Sequence, residues 1–189
     1  MSNRVKFGLT NVHYAVITEQ DGVDKYGTPK RLYGGVSLSI EPKGEENPFY
    51  ADNIVFYNPV SNQGYEGTLE IAELTTEFKS EVLGEKLDAD DGVITEFNTT
   101  QPNRIALLFE FDGDKKATRH VLYSCTVTRP NVESETKSDS IEPKPSELKF
   151  SATPRATDGA VKTSTVTEGS EDIYNNWFTK VYEKATLGA

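Results

Sequence analysis

Two histidines, one cysteine and a surplus of carboxylates are the side chains that could do chemistry in this chain of 189 residues. His13 and His120 both sit in runs of alternating apolar and polar residues. Neither has a Cys, Asp or Glu on its own strand face at metal-ligand spacing, so each reads as a strand-face residue rather than a ligand or a base. Cys125, the only cysteine, falls on the apolar side of its run, where a thiol acts as a small hydrophobe. A nucleophilic thiolate would need a lowered pKa and a nearby base, and the local sequence offers neither. Asp88-Ala89-Asp90-Asp91-Gly92 looks like a calcium loop, but Gly92 comes one place early and no glutamate follows at the bidentate position. It reads as an acidic turn. Glu66 with Glu70, and Glu110 with Asp112, could form acid/base pairs, yet such pairs arise by chance among 30 acidic residues. There is no glycine-rich phosphate loop and no G-x-S-x-G elbow. The expectation is a protein that is not an enzyme and uses no cofactor and no metal.

Charge and composition bound the partners. The formal net charge of −10 argues against binding the outside of nucleic acid, since phosphates are neutralised by Lys and Arg. A lone cysteine fits a reducing compartment, and no run of 18 apolar residues is present to cross a membrane as a helix. The start of the chain lacks the pattern of a cleaved signal. Hydrophobic residues make up 35% of the chain, low for a compact domain, but nine Tyr and nine Phe exclude wholesale disorder. A folded β core with long polar loops reconciles the two.

Period-two alternation is the dominant signal for the elements that would position these residues. Val12, Tyr14 and Val16 alternate with His13, Ala15 and Ile17, a strand covered on both faces. Val36, Leu38 and Ile40 mark a half-exposed strand, and residues 52–57 and 65–71 mark two more. Ile105, Leu107, Phe109 and Phe111 form one stripe, followed by a turn at Asp112-Gly113-Asp114. Val121, Tyr123, Cys125 and Val127 would then share one face of the return strand. Further strands are expected around Leu148–Ala152 and Val161–Val166. Helical spacing occurs twice. A short helix over about 75–83 starts at Thr75 and Thr76, ends at Gly84, and turns Phe78 and Val82 to the core. A C-terminal helix over about 170–182 is capped by Ser170 and carries Ile173, Tyr174, Trp177, Phe178 and Val181 as its apolar stripe. Polar stretches at 41–48, 130–147 and 157–161 are long for a compact domain, and 130–147 reads as a projecting arm. No internal repeat or composition shift marks a second domain.

Aromatics cluster in Asn47-Pro48-Phe49-Tyr50 and Phe56-Tyr57. They either cover local core or anchor a subunit interface, where Tyr and Phe are enriched, and spacing alone leaves both open.

Several segments resemble the major tail proteins of long-tailed phages and prophages of Gram-positive bacteria, the phi13-type family. They are VKFGLTNVHYAVIT (5–18), NPFYADNIVFY (47–57), GYEGTLEIAEL (64–74), VLGEKLD (82–88) and ALLFEFDGDKKATRHVLYSCTVTRPNV (106–132), continued by SIEPKPSELKFSATPR (140–155) and YNNWF (174–178). Together they span most of the chain in order. The resemblance implies a tail-tube subunit: a β-sandwich or flattened β-barrel with a flanking helix and long extended loops, one tube domain over 1–189 with arms at about 41–62 and 130–147. It implies stacked rings, typically hexameric, whose lumen conducts DNA during ejection. The implied partners are the protein itself, a tape measure protein and tail completion proteins. The implied location is the virion tail, assembled in the host bacterial cytoplasm, with no membrane partner. On that view Glu41, Lys43, Phe49, Tyr50, Phe56, Tyr57 and Asn58 are candidate ring-stacking or inter-subunit residues, while Phe78, Val82, Ile173, Trp177 and Phe178 hold helices to the core. An acidic lumen would repel DNA phosphates at close range. Loops 19–33 and 157–170 carry little of the resemblance. A competing expectation is a β-sandwich module binding carbohydrate, with Tyr50, Tyr57 and Tyr65 as its sugar platform.

Overall fold

The computed structural model describes residues 3–134, 136 and 144–184. The protein is mostly β, built on one large antiparallel sheet. Its strands are β1 (Lys6–Gln20), β2 (Val23–Tyr26), β3 (Lys30–Arg31), β4 (Gly35–Lys43), β7 (Gly64–Ile71), β10 (Ile105–Gly113), β11 (Thr118–Val127), β12 (Ser146–Ala152) and β13 (Lys162–Ser164). The hydrogen-bonded order is β2-β1-β10-β11-β12-β7-β4, with β3 added to β1 and β13 to β11. Two small hairpins stand apart: β5 (Phe49–Ala51) with β6 (Ile54–Tyr57), and β8 (Lys86–Asp88) with β9 (Val93–Thr95).

The sheet curls without closing. Segment 30–43 first pairs with β1, where the Leu32 N–H donates to the Val12 carbonyl at 2.8 Å, and then crosses to pair with β7. It thereby spans from one side of the curl to the other. No ladder joins β4 to β1 among the described residues, so the closed barrel that the resemblance allowed is not formed.

Inside the curl lies the main core. It takes Val12 and Tyr14 from β1, Ile105, Leu107 and Phe109 from β10, Leu122, Cys125 and Val127 from β11, Leu148 and Phe150 from β12, and Leu69 and Ile71 from β7. The opposite face of β1, β10 and β11 is also buried: Ala15, Ala106, Leu108, Val121 and Tyr123 pack under Trp177 and Val181. Both-face burial of β1 therefore matches the sequence reading, and the same holds for β10.

The face assignment of β11 needs correction. Val121 and Tyr123 face the outer cluster, whereas Cys125 and Val127 face the main core. Ile105 pairs with Cys125 but Leu107 pairs with Leu122, so β11 holds one extra residue between them. That bulge switches the side-chain alternation, and simple period-two counting cannot see it. In β4 a bulge between Gly35 and Ser37 likewise turns Val36 outward, 55% exposed, while Leu38 and Ile40 pack on the core.

The first helix is α1 (Thr76–Phe78), which runs into a π-helical turn over Lys79–Leu83. Thr75 Oγ1 accepts from the Phe78 N–H at 3.2 Å, and Gly84 ends the turn at φ 75°. Phe78 and Val82 are fully buried, as their spacing predicts, with Phe78 edge-on to Tyr14 at 5.0 Å. The C-terminal helix is much shorter than expected. α2 covers only Glu171–Asn175, capped by Ser170, and ends at Asn176, whose φ of −91° and ψ of 7° leave the helical region. Turns follow, and Trp177 and Val181 lie across the outer face of the sheet as a strap. Ile173 is consequently 41% exposed and is not a core contact. The predicted arm at 130–147 falls mostly outside the described residues.

Candidate subunit interface

The expected interface residues sit on one long hairpin. β4 and β7 pair from Gly35 opposite Ile71 to Lys43 opposite Gly64. Cross-strand bonds then continue beyond the sheet: Gln63 N–H to Lys43 O at 2.8 Å, Ser61 N–H to Glu45 O at 3.0 Å, and Asn47 N–H to Pro59 O at 3.2 Å. Glu46 bridges Val60, and Phe49 pairs with Tyr57, Tyr50 with Val55, and Ala51 with Ile54. Asp52 and Asn53 close the turn at φ 51° and 62°, the left-handed pair that matches the twist of a two-residue hairpin. Residues 52–57 are therefore a turn followed by β6, not one strand. From Lys43 to the tip, the arm reaches about 30 Å at strand rise.

Its root is set by glycines that no larger residue could replace in place. Gly64 takes φ 111°, and a Cβ there would lie 2.0 Å from the Ala152 carbonyl oxygen. A Cβ on Gly44 would lie equally close to the Ser61 carbonyl. The backbones approach too tightly for a side chain at either position.

Along the arm, burial is nearly absent. Phe49 is 60% exposed, Tyr50 63%, Ile54 62%, Val55 51%, Phe56 70% and Tyr57 64%. Pairing register places Phe49, Ala51, Ile54 and Tyr57 on one face and Tyr50 with Val55 on the other. Both faces are thus apolar and uncovered. Polar groups fix only the base: Lys43 Nζ meets Glu66 at 2.5 Å, Asn58 Nδ2 donates to Glu46 at 3.1 Å, and Glu41 lies opposite Glu66. Of the aromatic cluster's two readings, local core cover is excluded by these exposures. Ile54, Val55 and Val60 belong to the same surface and were missed by aromatic content alone. Their signal was the loss of alternation in the run Ile54-Val55-Phe56-Tyr57.

The sugar-platform residues do not converge. Tyr50 and Tyr57 lie on opposite faces by register, and Lys162 Nζ sits 4.4 Å from the centre of the Tyr65 ring.

The groups with chemical potential are engaged in structure. His13 stacks on Phe178 at 4.5 Å, and its Nδ1 lies 2.8 Å from the Asn11 carbonyl. Burial lowers its pKa. His120 stacks on Phe109 at 5.1 Å and meets Phe111 edge-on at 5.3 Å; burial, with the charges of Lys162 and Lys6, depresses it to about 4. Its carbonyl accepts from Trp177 Nε1 at 3.3 Å, which ties the strap to the sheet. Cys125 is fully buried, and burial pushes its thiol up to about 12. Glu110 is bound by Arg119 at 2.5 Å and by Thr10 and Asn11, and Arg119 also donates to the Tyr174 carbonyl and stacks on the Tyr174 ring. Glu70 accepts from Ser37 at 2.6 Å. Asp88 Oδ1 accepts from the N–H groups of Asp90 and Asp91, closing the β8–β9 turn. Among the described residues no His, Cys, Asp and Glu group could hold a metal, and no helix is long and apolar enough to cross a membrane.

No protein-family model matches the chain, and no curated protein matches it.

Proposed function

We propose that this protein is a self-assembling structural subunit of a phage tail tube, with copies stacked as rings around a lumen that conducts DNA. The observation that carries the reading is the β5–β6 arm, whose two faces expose six large apolar side chains beyond the sheet. A two-stranded hairpin is marginal alone in water, and a contiguous apolar patch of this kind marks a contact site. An arm continuous with the central sheet transmits that contact rigidly, which suits stacking. The acidic lumen has a candidate wall in the polar face of β4, β7 and β12. There Ser37, Glu70 and Glu147 form one cross-strand row, and Glu41, Glu66 and Ser151 another. Lys149 and Lys43 are the basic residues on that face. Tape measure and tail completion proteins would then engage the lumen and the tube ends, and the assembled protein would reside in the virion.

Electron microscopy of the purified protein after concentration tests the reading. Rings or tubes of uniform diameter are expected. A chain that stays monomeric and binds glycans instead would overturn it in favour of a carbohydrate-binding module.

A further inference from the structure

The apolar arm requires a receiving surface, and one region of the fold has matching chemistry. Two other patches expose large apolar residues beside a strand pairing. Around the β8–β9 hairpin lie Leu87, Val93 and Phe97, in the company of Glu85, Asp88, Asp90, Asp91 and Glu96. Along β1 and β4 lie Val5, Phe7, Tyr33 and Val36, in the company of exposed Arg4, Lys6 and Arg31. Arm residues Glu45, Glu46 and Asp52 are acidic and exposed, so only the second patch complements the arm in charge.

The seam between β1 and β4 is well defined. A Cβ on Gly35 would stand 3.0 Å from Val12 Cγ2 and 3.5 Å from Leu9 Cδ2, so the two strands touch where β4 begins. Beyond that contact they share no ladder among the described residues, and Leu9, Leu38 and Ile40 remain only partly buried against the main core. Apolar surface, strand edges and positive charge therefore coincide in a protein of net charge −10.

We propose that the arm of one copy docks on the β1–β4 seam of a second copy, with Phe56 and its neighbours on Val5, Phe7 and Val36, and Glu45 and Glu46 facing Arg4 and Lys6. The docking rests on the assembly proposed above and names its receiving side. Within one chain the arm prolongs the β4–β7 ladder, which carries its tip beyond its own sheet. Arm and seam are different surfaces, so the contact is head-to-tail, and every copy both offers an arm and receives one.

Cross-linking tests the pairing, because buried Cys125 leaves engineered thiols as the reactive ones. Protein with Phe56→Cys, mixed with protein carrying Phe7→Cys under mild oxidation, should form the mixed disulfide at least about ten-fold faster than with Val93→Cys protein. Equal or faster coupling to Val93→Cys overturns the seam. An independent pair of variants uses charge. Arg4→Glu with Lys6→Glu should raise the concentration for half-assembly about ten-fold or more, and adding Glu45→Lys with Glu46→Lys in the same chain should restore it. Unchanged assembly in the first variant, or no restoration in the second, also overturns the seam while leaving self-assembly standing. Failure of the unmodified protein to assemble at all defeats the underlying reading instead.

Discussion

Replacing Phe56 and Tyr57 together by serine separates folding from assembly. Both side chains are largely in water in the single chain, 70% and 64% exposed. Full burial of such a side chain contributes about 1.5–3 kcal/mol, so roughly two-thirds of that, about 1–2 kcal/mol each, is still to be gained on contact. Loss of both should weaken each arm contact by about 2–4 kcal/mol, or some 30-fold to 1000-fold in association constant. Folding of the single chain loses only the cross-strand pairing of Tyr57 with Phe49, a change of about 1 kcal/mol or less. Sedimentation velocity across a concentration series reads the first quantity, and the urea midpoint of the dilute protein reads the second. Assembly at unchanged concentration would refute the role of the arm. A collapse of the urea midpoint would show instead that these residues serve the fold.

Three further outcomes follow from the burial pattern. Trp177→Ala should destabilise the fold by about 3–5 kcal/mol in urea titration, because the strap loses its fully covered anchor over β10 and β11. Cys125 should stay unreactive to a thiol reagent at pH 8 until the chain unfolds, since burial both covers the sulfur and holds its pKa near 12; rapid labelling of native protein would contradict this. His120 is held neutral in the fold down to about pH 4, while the unfolded imidazole protonates near 6.5. The unfolded state therefore binds the extra proton between those values, and stability falls as pH drops from 6.5 to 4. His120→Phe should remove on the order of 2 kcal/mol of that fall, after allowance for partial exposure, measured as the difference from the unmodified chain.

Parts of this fold were legible because single strands announce themselves by period. The β10 stripe is one uninterrupted alternation, and both its faces were read correctly. β11 was misread beyond Tyr123 because a bulge reverses the alternation, a matter of how neighbouring strands register rather than of local pattern. The helix expected over 170–182 fails for a related reason. Tyr174, Trp177, Phe178 and Val181 have helical spacing, but the outer face of β1, β10 and β11 takes Trp177 and Val181 from a turn-rich strap instead. Tertiary burial there outweighs the local preference. In the arm the aromatic clusters were visible, yet the turn between them was not, because Asp52 and Asn53 adopt the left-handed conformation without a glycine to signal it. Exposure on both faces of that hairpin is a property of the assembled sheet, which carries it past every surface that could have covered it.

The central claim is that this chain is built to assemble with itself. Its most direct test is electron microscopy of the concentrated, unmodified protein beside the Phe56→Ser, Tyr57→Ser variant. Regular rings or tubes from the first and isolated particles from the second are the expected result. Isolated particles from both, at the highest concentration the protein tolerates, would contradict the account.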